Sequence, residues 1–162
     1  MFSGATAGDK RTRGVTTSNE DAKAVHDQQA DLCLTIPSCV AAIEPVCEQV
    51  RSLLARRHLA EMEFAVEILA RECLNNAILH GNHGMPNARV RFGMRVGRKL
   101  ICLRVTDQGP GFDWRRAVRH GLPSDTAVEG RGLMVASIYA RRIAFNRRGN
   151  QVTLWINKSE GR

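Results

Sequence analysis

Apolar positions recur at helical spacing along residues 61–81, EMEFAVEILARECLNNAILHG, and neither glycine nor proline interrupts the run before Gly81. The pattern predicts one helix. At about 100° per residue, Glu67, Arg71 and Asn75 stack at i, i+4 into a polar stripe where Glu67 can pair with Arg71 in water, which reads as the solvent face. Glu72 and Asn76 lie on another side, lined one turn earlier by Ala65, Ile68 and Leu69. A carboxylate and an amide thus project from an apolar stripe, and burying them without partners is costly. A metal, a nucleotide or a catalytic water would satisfy them, and so would a neighbouring loop or an arginine.

The pattern changes to strict alternation in LICLRVT, where Ile101, Leu103 and Val105 alternate with Cys102, Arg104 and Thr106 as in a half-buried strand. DQGPGF follows. Gly109 and Gly111 remove side chains where a ligand could approach the main chain, and Pro110 stiffens the turn. Asp107, at the strand end, can accept a hydrogen bond from an exocyclic amine such as that of adenine, or bond to its own backbone. The same alternation in ARVRFGMRV sets Arg89, Arg91 and Arg95 on the face opposite Val90, Phe92, Met94 and Val96. A third chemistry-bearing segment, EGRGLMVASIYARR, places Gly130 and Gly132 immediately before an apolar helix-like run, where free backbone amides favour an anion. It lacks the Gly-Lys-Ser/Thr ending of a Walker A loop.

Further elements follow from the same periodicities: a strand near Leu32 to Ile36, a helix from Ser38 to about His58, strands over 88–96 and 99–107, and two closing strands near 143–146 and 151–157. Long helices interspersed with adjacent strand pairs predict an α+β two-layer sandwich, with helices on one face of a mixed, mainly antiparallel sheet. Residues 1–29, rich in small and charged residues, read as a mobile tail, residues 30–158 as one domain and 159–162 as a short C-terminal tail.

Composition narrows the classes. A chain of 162 residues with 43% hydrophobic content supports one core. No stretch reaches the roughly 18 apolar residues of a membrane helix, and the polar start lacks a signal-peptide apolar region, so a cytoplasmic protein is expected. Five widely spaced cysteines, mostly in apolar runs, indicate free buried thiols rather than disulfides or zinc. The net charge of +8 raises nucleic acid as a partner, but an aromatic content of 5% offers few stacking platforms, and the basic sheet face also suits an acidic protein or self-association.

In combination and in this order, the three segments resemble the GHKL (Bergerat-fold) ATPase superfamily, with its histidine kinase-like ATPase domain. Within it they are most similar to the small anti-sigma-factor serine/threonine kinases of the RsbW and SpoIIAB type. ECLNNAILHGN looks like the N box of that group, DQGPGF its G1 box and GRGL its G2 box, while residues 31–54 and 149–158 are similar to its first and last elements. The resemblance implies ATP and Mg2+ as cofactors. It implies Glu72 as the catalytic base and Asn76 as the magnesium ligand. Asp107 would receive the adenine amino group, with Gly109, Gly111 and Phe112 framing the base and hinging the lid. Gly130, Arg131, Gly132 and Leu133 would hold phosphate oxygens, and His80, Gly81 and Asn82 would lie close to the phosphates. Its implied partners are a STAS-domain anti-sigma antagonist as substrate, a sigma factor to sequester and, since relatives often dimerise, a second copy; neither membrane nor direct nucleic-acid contact is implied. An ATP-binding module that controls its partner by contact alone is the alternative. The chain departs from the pattern at Arg141 and Arg142, where an acidic residue is common, and at Asn150, where many relatives have Thr. The segment from Asp113 to Val128 between the G1 and G2 boxes is short, which excludes a long chaperone-like lid.

Overall fold

The computed structural model describes residues 30–115, 136 and 138–158. The expected tail over 1–29, the G2-box residues Gly130, Arg131, Gly132 and Leu133, most of the lid and the C-terminal residues 159–162 lie outside the described residues.

Strand β1 (Leu32–Pro37) leads through a 3-10 turn, Val40–Ala42, into helix α1 (Ile43–Arg56). The sequence predicts this helix from Ser38. Pro45 has no backbone N–H to give and is accommodated only in a first turn, so the α-helix proper begins at Ile43. It ends where His58 takes a φ of 54° and the Leu59 N–H reaches back to Leu54 O at 3.0 Å. A second 3-10 turn, Ala60–Met62, precedes helix α2 (Glu63–Asn75), and a π-helical turn, Asn76–Gly81, follows it. The single helix predicted over 61–81 is therefore three pieces. The last widens because the Asn82 N–H bonds Ala77 O, five residues back, at 2.9 Å.

Strands β2 (Arg89–Val96), β3 (Leu100–Thr106), β4 (Arg142–Phe145) and β5 (Gln151–Asn157) join β1 in one sheet of order β1-β2-β3-β5-β4. All ladders among these strands are antiparallel. Their register aligns inward-facing rows: Leu34, Phe92, Val105, Val152 and Phe145 in one, and Leu32, Met94, Leu103, Leu154 and Ile143 in the next. Against these rows lie Val46, Val50 and Leu54 of α1 and Val66, Leu69 and Leu74 of α2, all fully or almost fully buried in one cluster. The architecture is the predicted α+β two-layer sandwich, with both helices on one sheet face. No helix among the described residues is long and apolar enough to cross a membrane.

Two predicted details change. Cys47, Cys73 and Cys102 are buried, but Cys33 and Cys39 are exposed, because β1 is an edge strand and Cys39 sits in the turn after it. Burial pushes the Cys73 thiol to about 12 and that of Cys102 to about 11. Nor is the Glu67–Arg71 stripe simply solvated. Glu67 bonds Arg71 at 2.8 Å and Arg51 of α1 at 2.9 Å, while Glu44 of α1 pairs with both Arg51 and Arg71. Four alternating charges thus tie the two helices across their seam.

The arginines hold both carboxyls below their ordinary values. For Glu44 the bond to Arg51 is the largest cause; for Glu67 loss of solvation acts the other way and is outweighed by Arg71 and Arg51. A depressed folded-state pKa contributes stability that is full above the unfolded value and is lost as pH falls through the folded one. The thermal midpoint should therefore drop as pH is lowered into the carboxylate range, and Glu67→Gln should have a lower midpoint at neutral pH and a shallower acid limb. Parallel acid limbs for the two proteins would show that the seam contributes nothing.

Candidate functional site

Asp107 closes β3 and is clamped by the turn between β4 and β5. Its N–H donates to Asn150 O at 3.0 Å, and its carbonyl accepts the Asn150 side-chain amide at 2.9 Å. Asn150, in the position where relatives often carry Thr, thus holds the backbone on which Asp107 stands. The carboxylate Oδ1 accepts the Gly109 N–H at 2.8 Å, and the second oxygen takes no other residue's donor among the described residues. Loss of solvation pushes this half-buried carboxyl above the ordinary aspartate range, and the Gly109 N–H, its own N–H, Arg148 and His83 offset that only in part. An under-solvated carboxylate with an unused acceptor is suited to a ligand N–H.

The end of the π-turn packs directly onto this residue. A Cβ on Gly81 would stand 2.5 Å from the Asp107 carboxyl, and one on Gly109 would stand 1.8 Å from Gly81 O. At Gly109 the obstacle is main chain and only glycine fits, whereas at Gly81 a side chain would have to displace the Asp107 carboxyl; the N-box end and the G1 turn thus touch backbone to backbone. Asn82, completely buried, fixes that contact: its amide donates to Ser38 Oγ at 2.9 Å and to Arg89 O at 3.2 Å, and its Oδ1 accepts the Gln108 N–H at 2.8 Å. With its amide so engaged, Asn82 positions the site.

Glu72 and Asn76 occupy one side of α2 and of the start of the π-turn, as predicted, but neither is buried. Glu72 is half-buried, and Asn76 and His80 are exposed, because Ile68 and Ala65 themselves reach the rim of the core. The polar pair thus faces an open surface. Glu72 stands nine positions before Gly81 along α2 and the π-turn, so the acidic side chains at 72 and 107 mark opposite ends of an elongated site.

A second wall comes from aromatic packing that the motifs do not announce. Phe145 of β4 stacks on Trp114 at 6.0 Å and meets the exposed Phe112 edge-on at 5.3 Å, while the Trp114 indole N–H donates to Asn146 O at 2.9 Å. Gly111, at φ 79°, passes so close to the β4–β5 turn that a Cβ would stand 2.0 Å from Arg148 O. Asn146 organises that turn by accepting the Gly149 and Asn150 N–H groups at 2.8 and 3.1 Å. An open cavity of about 530 Å³ lies between the G1 residues and this turn, with Phe112 and the guanidinium-bearing Arg115, Arg147 and Arg148 on its walls. Asp113 also lines it, Arg115 lies over the Trp114 ring at 4.3 Å and Arg148 Nε donates to Pro110 O at 3.2 Å, so its charged groups are of both signs and partly engaged.

Residues 36–156 match the histidine kinase-like ATPase domain family, and the chain belongs to that family. Membership makes this an ATP-binding domain. No curated protein matches the chain. The under-solvated Asp107 carboxylate and the side-chain-free approach of Gly81 to Gly109 leave an acceptor and open main chain for such a ligand. Of the residues predicted for the site, the fold brings Asn82, Asp107, Gly109, Gly111 and Phe112 together, and leaves Glu72, Asn76 and His80 along the adjoining helix. Asn146, Trp114, Phe145 and Arg148 went unread; a paired Asn146 and Asn150 flanking RRG was the available turn signal.

Removing the Asn82 amide strands the Gln108 N–H and frees the π-turn end. Asn82→Ala should cost about 1–3 kcal/mol in chemical denaturation. An unfolding free energy equal to wild type would mean that these bonds do not hold the site together.

Proposed function

We propose that the protein is an ATP- and Mg2+-dependent serine/threonine protein kinase that acts as an anti-sigma factor, phosphorylating a STAS-type antagonist and sequestering a sigma factor. The observation that supports the reading is the contact of Gly81 with Asp107 and Gly109, which brings two motifs distant in sequence together. The resemblance of the N, G1 and G2 boxes to the anti-sigma kinases supplies the partners.

In this reading the Asp107 carboxylate accepts the adenine amino group with the oxygen that no other described residue occupies. Gly109 and Gly111 leave the main chain open beside the base, Phe112 covers one edge, and Gly130, Arg131, Gly132 and Leu133 hold phosphate oxygens. Asn76 offers an exposed amide oxygen to Mg2+, an ion that typically takes few protein ligands and completes its shell with phosphate oxygens and water. Bound Mg-ATP supplies the transferable phosphoryl group and the charge neutralisation for its transfer. Glu72 accepts the proton of the incoming serine hydroxyl, its partial exposure leaving room for a protein substrate. His80 borders the same surface. With such partners the protein would act in the cytoplasm, and a homodimer would suit sequestration.

One observation favours a second reading, an ATP-binding module that regulates by contact alone: no described hydrogen bond orients the Glu72 carboxylate. Transfer of labelled phosphate to a STAS-domain substrate separates the two. Wild type should label the substrate, Glu72→Gln should lose labelling by at least about 100-fold while retaining ATP binding, and Asp107→Ala should lose both. Wild-type labelling by Glu72→Gln would refute the base assignment, and an unlabelled substrate with wild type would leave contact regulation as the function.

A further inference from the structure

Two asparagines of the β4–β5 turn are joined by a side-chain bond that the turn itself does not need. The Asn146 amide donates to Asn150 Oδ1 at 2.8 Å. The turn closes without it, because Asn146 Oδ1 accepts the Gly149 and Asn150 N–H groups and the Asn146 N–H donates to Gln151 O at 3.1 Å. What the bond adds is a link onward, since Asn150 in turn donates its side-chain amide to Asp107 O at 2.9 Å.

The orientation of both amides follows from their partners. A side-chain amide carries its acceptor and its donors on different atoms. The Gly149 and Asn150 N–H groups require the oxygen of Asn146, which leaves its NH2 for Asn150. That NH2 requires the oxygen of Asn150, which leaves the Asn150 NH2 for the Asp107 carbonyl. Reversing either amide would set donor against donor or acceptor against acceptor. The bonds run in one direction, and each polarises the next.

The other end of the chain is anchored on Trp114. Among residues 111–115 only Trp114 is buried. Its ring packs on Phe145 at 6.0 Å and under the Arg115 guanidinium at 4.3 Å, and its indole N–H donates to Asn146 O at 2.9 Å. Main chain meets main chain beside it, where a Cβ on Gly149 would stand 2.1 Å from Phe112 O. The path from Trp114 through Asn146 and Asn150 to Asp107 therefore connects the segment leaving the G1 turn with the strand end that bears the carboxylate. Hydrogen bonds weaken steeply with misalignment, so a ligand amine on that carboxylate reads any shift of the Asp107 main chain.

We propose that Asn146 and Asn150 are positioning residues of the nucleotide site: they transmit the packing of Trp114 to the Asp107 main chain and so set how firmly its carboxylate holds the amino group of the base, a role that rests on Asp107 being that group's acceptor.

The test is a preference rather than an affinity. In calorimetric titration the full chain should bind Mg-ATP at least about tenfold more tightly than the magnesium complex of purine riboside triphosphate, which lacks only the amino group. Asn146→Asp keeps an acceptor for the Gly149 and Asn150 N–H groups but has no donor for Asn150, and should cut that preference to about threefold or less. Asn150→Ala should do the same. Trp114→Phe, which keeps an aromatic ring and loses the N–H, should lower it in the same direction. A general loosening of the fold, or the charge added at position 146, weakens both ligands alike and leaves the preference intact. A wild-type preference in folded Asn146→Asp, Asn150→Ala or Trp114→Phe would overturn the proposal. A wild-type chain that binds both ligands equally, or an undiminished preference in Asp107→Ala, would instead overturn the role of Asp107 and the positioning role with it.

Discussion

The approach of Gly81 to Gly109 is the constraint around which the site is built. A carbonyl oxygen lies where a Cβ of residue 109 would have to be, 1.8 Å away, and a Cβ on residue 81 would meet the Asp107 carboxyl at 2.5 Å. Two segments 26 residues apart in sequence are thereby locked in register, and the buried Asn82 amide seals the lock from behind through Gln108, Ser38 and Arg89. Because the contact excludes side chains and strips solvent from Asp107, it also creates the raised, under-satisfied carboxyl that a ligand donor can relieve. Local packing and ligand chemistry here share one cause.

The rest of the fold supports that contact from two directions. The α1–α2 seam, held by Glu44, Arg51, Glu67 and Arg71, fixes how α2 delivers the π-turn to the end of the central strand β3. On the other flank, Phe145 carries Trp114 and Phe112, and the Asn146–Asn150 turn grips both Asp107 and the G1 glycines. The helix-covered face of the sheet carries the core against which these elements pack, while the arginines of β2, β3 and β4 alternate outward on the other face.

The α+β sandwich was legible because the strands alternate strictly and the helices are amphipathic, so inside and outside follow from residue type alone. The arginines of β2 landed where alternation placed them. The G1 turn was legible because glycine spacing reports close approach. What escaped were features set by tertiary contact. Asn76–Gly81 contains ordinary helix formers, and its π geometry arises only once Asn82 is pulled into the core. Glu67 and Arg71 read as a solvent pair because the partner charges on α1 lie far away in sequence. Glu72 and Asn76 read as buried because the apolar residues one turn before them gave no sign of sitting at the core's rim.

The central claim is that the glycine-only contact between the N-box end and the G1 turn makes the ATP site. Calorimetric titration of Mg-ATP into Gly109→Ala, set beside wild type and with far-UV circular dichroism to verify the fold, tests it most directly. The account predicts a folded variant that has lost at least about tenfold in affinity, since the added methyl must push Gly81 and the Asp107 turn apart. A folded Gly109→Ala that binds ATP as tightly as wild type would contradict it.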